Sequence, residues 1–359
     1  MLSEPPNPSL VAGESSAAPT SQPTSSSQYD LKCLSDPGAG DAVVDIILVG
    51  DLSKPAQNTW GRETEFFWPV EIQRRIKGAS IFEFSYPVDD VAAPKTRARA
   101  VEALGENISE GTLRNRSQKL EEAVHGKDSF SGKRKAPYVI LVGYGYGGLL
   151  CEQVISKLGN GYSPVSGGII GLVLFGTPHF SHGLIQWAHI VVKATAQPGA
   201  RAANRGLFAR RLAPSETLPN AANLARHFRS ISEIQRRFFS VTREAEWDNR
   251  IASCFPKRVE GEPTILPEWN TVPHGFPVRI SQSYLEMTAF RDDKEDGYQV
   301  ISQLIKRWAE NCIGRKGKAA DIHGDLPPGK QQGIEVSGNT GLTDGTGAVQ
   351  QGPGGSKST

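Results

Sequence analysis

The chain has 359 residues, with 40 basic against 38 acidic side chains and a formal net charge of +2 at pH 7. That balance offers no electrostatic footprint for nucleic acid, and the length allows one large domain with tails or two small ones. The four cysteines, Cys33, Cys151, Cys254 and Cys312, are widely spaced and fit neither a disulfide framework nor a metal-ligand set. Reduced thiols in a cytoplasmic setting are therefore expected, with no metal and no cofactor.

Apolar residues make up 38% of the chain, a deficit that should sit in unfolded ends. Residues 1–28 are mostly Ser, Pro, Ala, Thr and Gln and are expected to be disordered. No apolar run approaches the ~18 residues that span a bilayer, and the first residues lack the basic-then-apolar layout of a secretory signal. Order should begin near Tyr29, with a turn at Asp36-Pro37-Gly38. Val43 to Val49 reads as a buried strand. A helix should start at Pro69 and end at Gly78, before a second strand from Ala79 to Tyr86. The stretch from Lys95 to His125 is helical in pattern, with a break near Gly111.

The run Val139-Ile140-Leu141-Val142 enters a glycine cluster, Gly143-Tyr144-Gly145-Tyr146-Gly147-Gly148, and an amphipathic stretch to Leu158 follows. Strand, sharp turn and helix in this order are the layout of the nucleophile elbow G-x-S-x-G, in which glycines let the chain turn tightly beneath the central side chain. Here the central position is Gly145. The turn is present and the hydroxyl is absent.

Further on, Ile169 to Phe175 is a strand leading into Gly176-Thr177-Pro178-His179, and Leu184–Val192 and Asn220–Phe239 look helical. Arg250–Phe255 and Phe276–Ile280 are candidate late strands, and Glu295–Ile313 is a final amphipathic helix. Residues 314–359 turn Gly-rich, and disorder is expected there. Strands alternating with helices argue for one α/β domain over residues 29–313, with a mostly parallel sheet covered by helices on both faces.

Four stretches together resemble the serine esterase, lipase-like branch of the α/β-hydrolases, whose fungal members stand alone or precede NACHT, ankyrin or tetratricopeptide modules. Asp45-Ile46-Ile47-Leu48-Val49-Gly50-Asp51-Leu52 through Thr59-Trp60 is similar to D-I-V-F-V-H-G-L-G-G…T-W. Phe67-Trp68-Pro69 through Ile81 and Phe84-Ser85-Tyr86 is similar to F-W-P-x-x-L-L…A-R-I-x-x-Y-G-Y. The elbow is similar to I-x-F-I-G-H-S-L-G-G-L-V, and Gly168-Ile169-Ile170 through His179 to G-I-I-F-L-G-T-P-H-x-G-S. Met287 to Tyr298 adds a weaker match to M-C-K-F…D-x-G-Y.

The resemblance implies an α/β-hydrolase fold. Laid residue by residue, it places the nucleophile position on Gly145, the catalytic histidine on Tyr284 and the acidic stretch on Cys254-Phe255-Pro256. It also places the elbow's flanking positions on Tyr144, Tyr146 and Gly147, and the oxyanion loop on Gly50, Asp51 and Leu52. A carboxylate at Asp51 would oppose a developing oxyanion. Hydroxyl, base and acid depend on one another, so a catalytically inactive binding, regulatory or signalling module is the expected function.

An active ester or lipid hydrolase with a rearranged site is the alternative, with Ser181, Ser283 and His274 as stand-in candidates. A fungal immune-receptor-like interaction domain is a further one. The former acyl pocket could take a lipid or ester-like ligand, or the surface a protein partner. Tyr144 and Tyr146 should fill the space left by missing side chains, and His179 should pack or hydrogen-bond near the elbow. Arg201, Arg205, Arg210 and Arg211 could bind an anionic lipid or phosphate but read better as a solvated helix face.

Overall fold

The computed structural model describes residues 29–38, 42–53, 59–61, 65–88, 97–125, 136–157, 168–196, 221–244, 247–256 and 275–323. Seven strands form one sheet in the spatial order β1-β3-β2-β4-β5-β6-β7. They are β1 (Asp30–Ser35), β2 (Val44–Val49), β3 (Ala79–Ser85), β4 (Tyr138–Tyr144), β5 (Ile169–Phe175), β6 (Ile251–Pro256) and β7 (Phe276–Ile280). Every pairing is parallel except that of β1 with β3. All six residues of β2 and all seven of β5 are buried, which is why these strands read as unbroken apolar runs rather than alternating ones.

The helices are α1 (Trp68–Arg75), α2 (Arg97–Asn107), α3 (Glu110–His125), α4 (Tyr146–Ser156), α5 (Phe180–Ala196), α6 (Ala221–Glu244) and α7 (Asp296–His323). On one side, the Arg75 guanidinium of α1 lies 4.9 Å from the Tyr298 ring of α7. Trp308 of α7 leaves room for only a hydrogen at Gly171 of β5. Trp60, Trp68, Phe175 and Phe290 interlock there, with ring centroids 5.8 to 6.4 Å apart. The remaining helices, α2 to α6, pack among themselves around α4 and α5. A mostly parallel sheet, helical layers and a strand–turn–helix elbow after β4 make this an α/β-hydrolase fold.

The register positions the site. Val49 of β2 pairs with Phe84 of β3 and Gly143 of β4, and Tyr144 pairs with Phe175 of β5. The carboxyl ends of the central strands therefore finish level, and the turns after β2, β4 and β5 meet at one edge of the sheet. Open parallel sheets carry their sites at that edge.

The structure departs from the sequence reading in three places. Strand β1 was not expected, because Asp30-Leu31-Lys32-Cys33-Leu34-Ser35 is short and half polar, and only its second residue, Leu31, is fully buried. The helix break falls at Ile108-Ser109 rather than Gly111. Ser109 caps the start of α3, its Oγ accepting from the Thr112 N–H at 3.3 Å and donating to Thr112 Oγ1 at 2.8 Å. Helix α7 runs to His323 rather than Ile313, since Gly314 and Gly317 are single glycines among helix-forming residues and do not stop it. One further backbone feature stands out: Phe180, at the start of α5, has φ of 59° and is 49% exposed. A non-glycine residue in that left-handed region carries a strain of about 1–2 kcal/mol.

Candidate functional site

Gly145 is the apex between β4 and α4, with φ 53° and ψ −116°. Its N–H donates to the Phe175 carbonyl at 2.9 Å, and its carbonyl accepts from the Gly148 N–H at 3.1 Å. The apex thus has the sharp, strained shape of a nucleophile elbow. The space where a nucleophile's side chain would stand is taken, however. A carbon built on Gly145 would collide with the Asp51 carboxylate and with the Tyr284 hydroxyl.

Asp51 is 3% exposed and its two oxygens collect four donors. Oδ1 accepts from the Tyr146 N–H at 2.8 Å and from Trp187 Nε1 at 3.2 Å. Oδ2 accepts from the Tyr284 hydroxyl at 3.1 Å and from the Ser53 N–H at 3.3 Å. Tyr146 follows the apex, so its N–H is the donor that a hydrolase aims at the developing oxyanion. It is also the first residue of the eleven-residue helix α4, whose N-terminal end favours negative charge. The sequence reading held that a carboxylate here would oppose an oxyanion. The geometry goes further, because the chain's own carboxylate is the anion that this donor holds.

Tyr284 donates to Asp51 and is 3% exposed. Tyr144 lies against it, the rings tilted by 38° with centroids 5.2 Å apart, and donates its hydroxyl to the Tyr284 carbonyl at 2.9 Å. Tyr146 stacks on Trp187 with an interplanar angle of 12° and donates to the Asn107 carbonyl at 3.0 Å. Tyr86 donates to the Gly50 carbonyl at 2.7 Å, fixing the turn that carries Asp51. Tyr144 thus packs on Tyr284 and Tyr146 on Trp187, whereas the space at the apex itself is met by Asp51 and Tyr284.

Arg116 lies buried behind them, 4.9 Å from the Tyr86 ring and 5.5 Å from the Tyr146 ring. Its guanidinium donates to the Asn107 carbonyl at 3.0 Å, to Asn107 Oδ1 at 2.6 Å and to the Pro87 carbonyl at 2.5 Å. Leu52 joins the core, and Gly147 lies in the first turn of α4 against the Val49 and Gly50 carbonyls.

Burial pushes the phenols of Tyr144 and Tyr284 well above the ordinary 10, and the Asp51 charge adds to it. Burial raises Tyr86 likewise, with Arg116 opposing and Asp51 reinforcing the shift, and lifts Tyr146 to about 12 against the pull of Arg116. All four are neutral donors at physiological pH. None can accept a proton from a nucleophile while its own proton is engaged.

Because these folded-state values lie above the unfolded one, the stabilisation they express is complete below about pH 10 and is lost as pH rises through the folded values. Unfolding free energy should fall above about pH 10 by up to ~1.4 kcal/mol per pH unit for each phenol. Phenolate absorbance should rise together with loss of near-ultraviolet dichroism. Ordinary titration of these tyrosines in a chain that stays folded would contradict this.

The other candidates disperse. His179 is fully buried, with Nε2 2.5 Å from Glu152 Oε1 in α4. Gln235 of α6 completes that cluster, donating to the Pro178 carbonyl at 2.8 Å and to Glu152 Oε2 at 3.4 Å. His179 is therefore hydrogen-bonded to the elbow helix through Glu152 rather than to Asp51 or Tyr284. Ser283 donates to Glu286 at 3.2 Å at the start of a short 3-10 turn. Pro256 ends β6 opposite Ile280 of β7, and the position offers no carboxylate. His274, Arg201, Arg205, Arg210, Arg211, the expected tail 1–28 and residues 324–359 of the expected tail 314–359 lie outside the described residues, as does the side chain of Ser181.

Among the described residues no group of three His, Cys, Asp or Glu could hold a metal ion, and no helix is long and apolar enough to cross a membrane. Trp187, Ser53, Arg116 and Glu152 were not singled out by sequence reasoning. Trp187 in particular looks like one more apolar residue of an apolar helix.

No protein-family model matches the sequence, and no curated protein matches it. Among solved structures, a lipase-esterase related protein from Clostridium acetobutylicum is 9% identical over 78% of this chain and 99% of that one, with a TM-score of 0.39. Esterase B from Lactobacillus rhamnosis is 9% identical over 82% and 89%, with a TM-score of 0.35. Mouse alpha/beta hydrolase domain-containing protein 10 is 13% identical over 79% and 94%, with a TM-score of 0.35. These are distant likenesses; the sheet order and the elbow define the fold.

Proposed function

We propose that this chain is a catalytically inactive α/β-hydrolase-like protein acting as a binding, regulatory or signalling module. One observation carries the reading: Asp51 occupies both the space of a nucleophile's side chain at Gly145 and the hydrogen bond that would stabilise an oxyanion. A neutral phenol in the base's place supports it. The filled apex favours a protein partner at the surface over an ester-like ligand at the elbow, in keeping with the interaction-domain alternative. None of the four cysteines forms a disulfide, which fits a reducing, cytoplasmic setting.

The purified chain, assayed with short-chain p-nitrophenyl esters, should release nitrophenol no faster than a buffer blank. Saturable turnover abolished by Ser181→Ala or Ser283→Ala would instead establish a hydrolase with a rearranged site.

A further inference from the structure

Helix α6 turns one long face to solvent, and every cation on that face is an arginine. Arg226, Arg229, Arg236, Arg237 and Arg243 are exposed, and α6 contains no lysine. At 3.6 residues per turn they fall with Glu233 and Glu244 on one stripe about 120° wide and about 25 Å long. Five guanidinium charges against two carboxylates leave an excess of three. Glu233 already holds Arg236 through two N–H···O bonds of 3.0 and 2.7 Å, and Arg237 through one of 3.4 Å. Arg226, Arg229 and Arg243 make no ion pair among the described residues.

One edge of the stripe is aromatic. Half-buried Phe239 lies against Phe180, with centroids 6.5 Å apart, and Phe180 is 49% exposed on a backbone with φ of 59°. Neither burial nor backbone preference accounts for a phenylalanine at that position. Strain that a fold retains without local benefit points to a use elsewhere.

We propose that this face docks an acidic segment of a protein partner. The partner's carboxylates pair with Arg226, Arg229 and Arg243, and one of its apolar side chains lies on Phe180 and Phe239. Guanidinium groups pair with carboxylates through two parallel bonds, a geometry that lysine cannot offer. Arginine and aromatic residues are also the side chains that most often dominate interface energetics. An anionic bilayer fits less well, because it draws equally on lysine and because Glu233 and Glu244 would face its headgroups. The surface uses no residue of the elbow, so the inference stands whether or not the elbow is inert.

The test uses the full chain and a fluorescein-labelled acidic amphipathic helical peptide, glutamate on one face and leucine on the other, read by anisotropy. Vesicles of phosphatidylserine and phosphatidylcholine form a parallel arm. Saturable peptide binding is expected. It should weaken at least about tenfold in R226E/R229E/R243E and severalfold in Phe180→Gly, with melting temperatures within a few degrees of the parent. Arg236→Gln, whose guanidinium is already engaged, should change binding least. If the triple variant folds poorly, Arg229→Gln alone carries the test with a smaller loss. Absence of peptide binding, binding undiminished in these variants, or binding to the vesicles alone would overturn the proposal.

Discussion

Replacing Asp51 with alanine is expected to lower the unfolding free energy by about 3–5 kcal/mol, the largest effect of any single polar substitution near the elbow. The reason is the number of donors it serves. Truncation strands the Tyr146 and Ser53 N–H groups, the Trp187 indole N–H and the Tyr284 hydroxyl, all buried. Each stranded donor costs about 1–3 kcal/mol, reduced where water or a neighbour takes its place. Asp51→Asn should cost less, since Oδ1 still accepts while its amide meets two donors head-on. Urea unfolding of the three proteins measures the series. A loss below about 1 kcal/mol for Asp51→Ala would show that the carboxylate is not the hub of the apex.

Restoring the missing hydroxyl should fail for a steric reason. Gly145→Ser is expected to destabilise by about 3 kcal/mol or more, because its side chain must displace the Asp51 carboxylate and the Tyr284 hydroxyl. The backbone contributes less, since hydrolases hold a serine in this same turn. In an Asp51→Gly background the collision with the carboxylate is gone, so the added cost of Gly145→Ser should shrink by more than about 1 kcal/mol. A double-mutant cycle reads this coupling directly. Additive effects would mean that the two positions do not compete for one space. Gly145→Ser with Tyr284→His alone should therefore give no esterase activity, because Asp51 would still occupy the oxyanion donor.

Much of this architecture is legible in the residues. Runs such as Val139–Val142 and Ile169–Phe175 announce buried parallel strands, and the glycine spacing around Gly145 announces the elbow. Strand β1 is not legible, because an edge strand with one buried residue needs little apolar patterning. At the site, the positions of Gly145, Asp51 and Tyr284 could be laid out by resemblance, but their mutual contact could not. Asp51 and Tyr284 are separated by 233 positions and meet through the level ends of strands drawn from distant parts of the chain. Trp187 is hidden for a related reason. A tryptophan in an apolar helix looks like core, and only the fold aims its indole N–H at Asp51. The buried pairing of His179 with Glu152 is equally a matter of helix packing and carries no pattern in sequence.

The most direct measurement is the intact mass of the purified protein after prolonged exposure to a fluorophosphonate probe, which marks activated serines. The account predicts an unchanged mass, because the apex carries no hydroxyl and its oxyanion donor already holds a carboxylate. A single stoichiometric adduct on any serine, formed by the folded chain and not by the chain denatured beforehand, would contradict it.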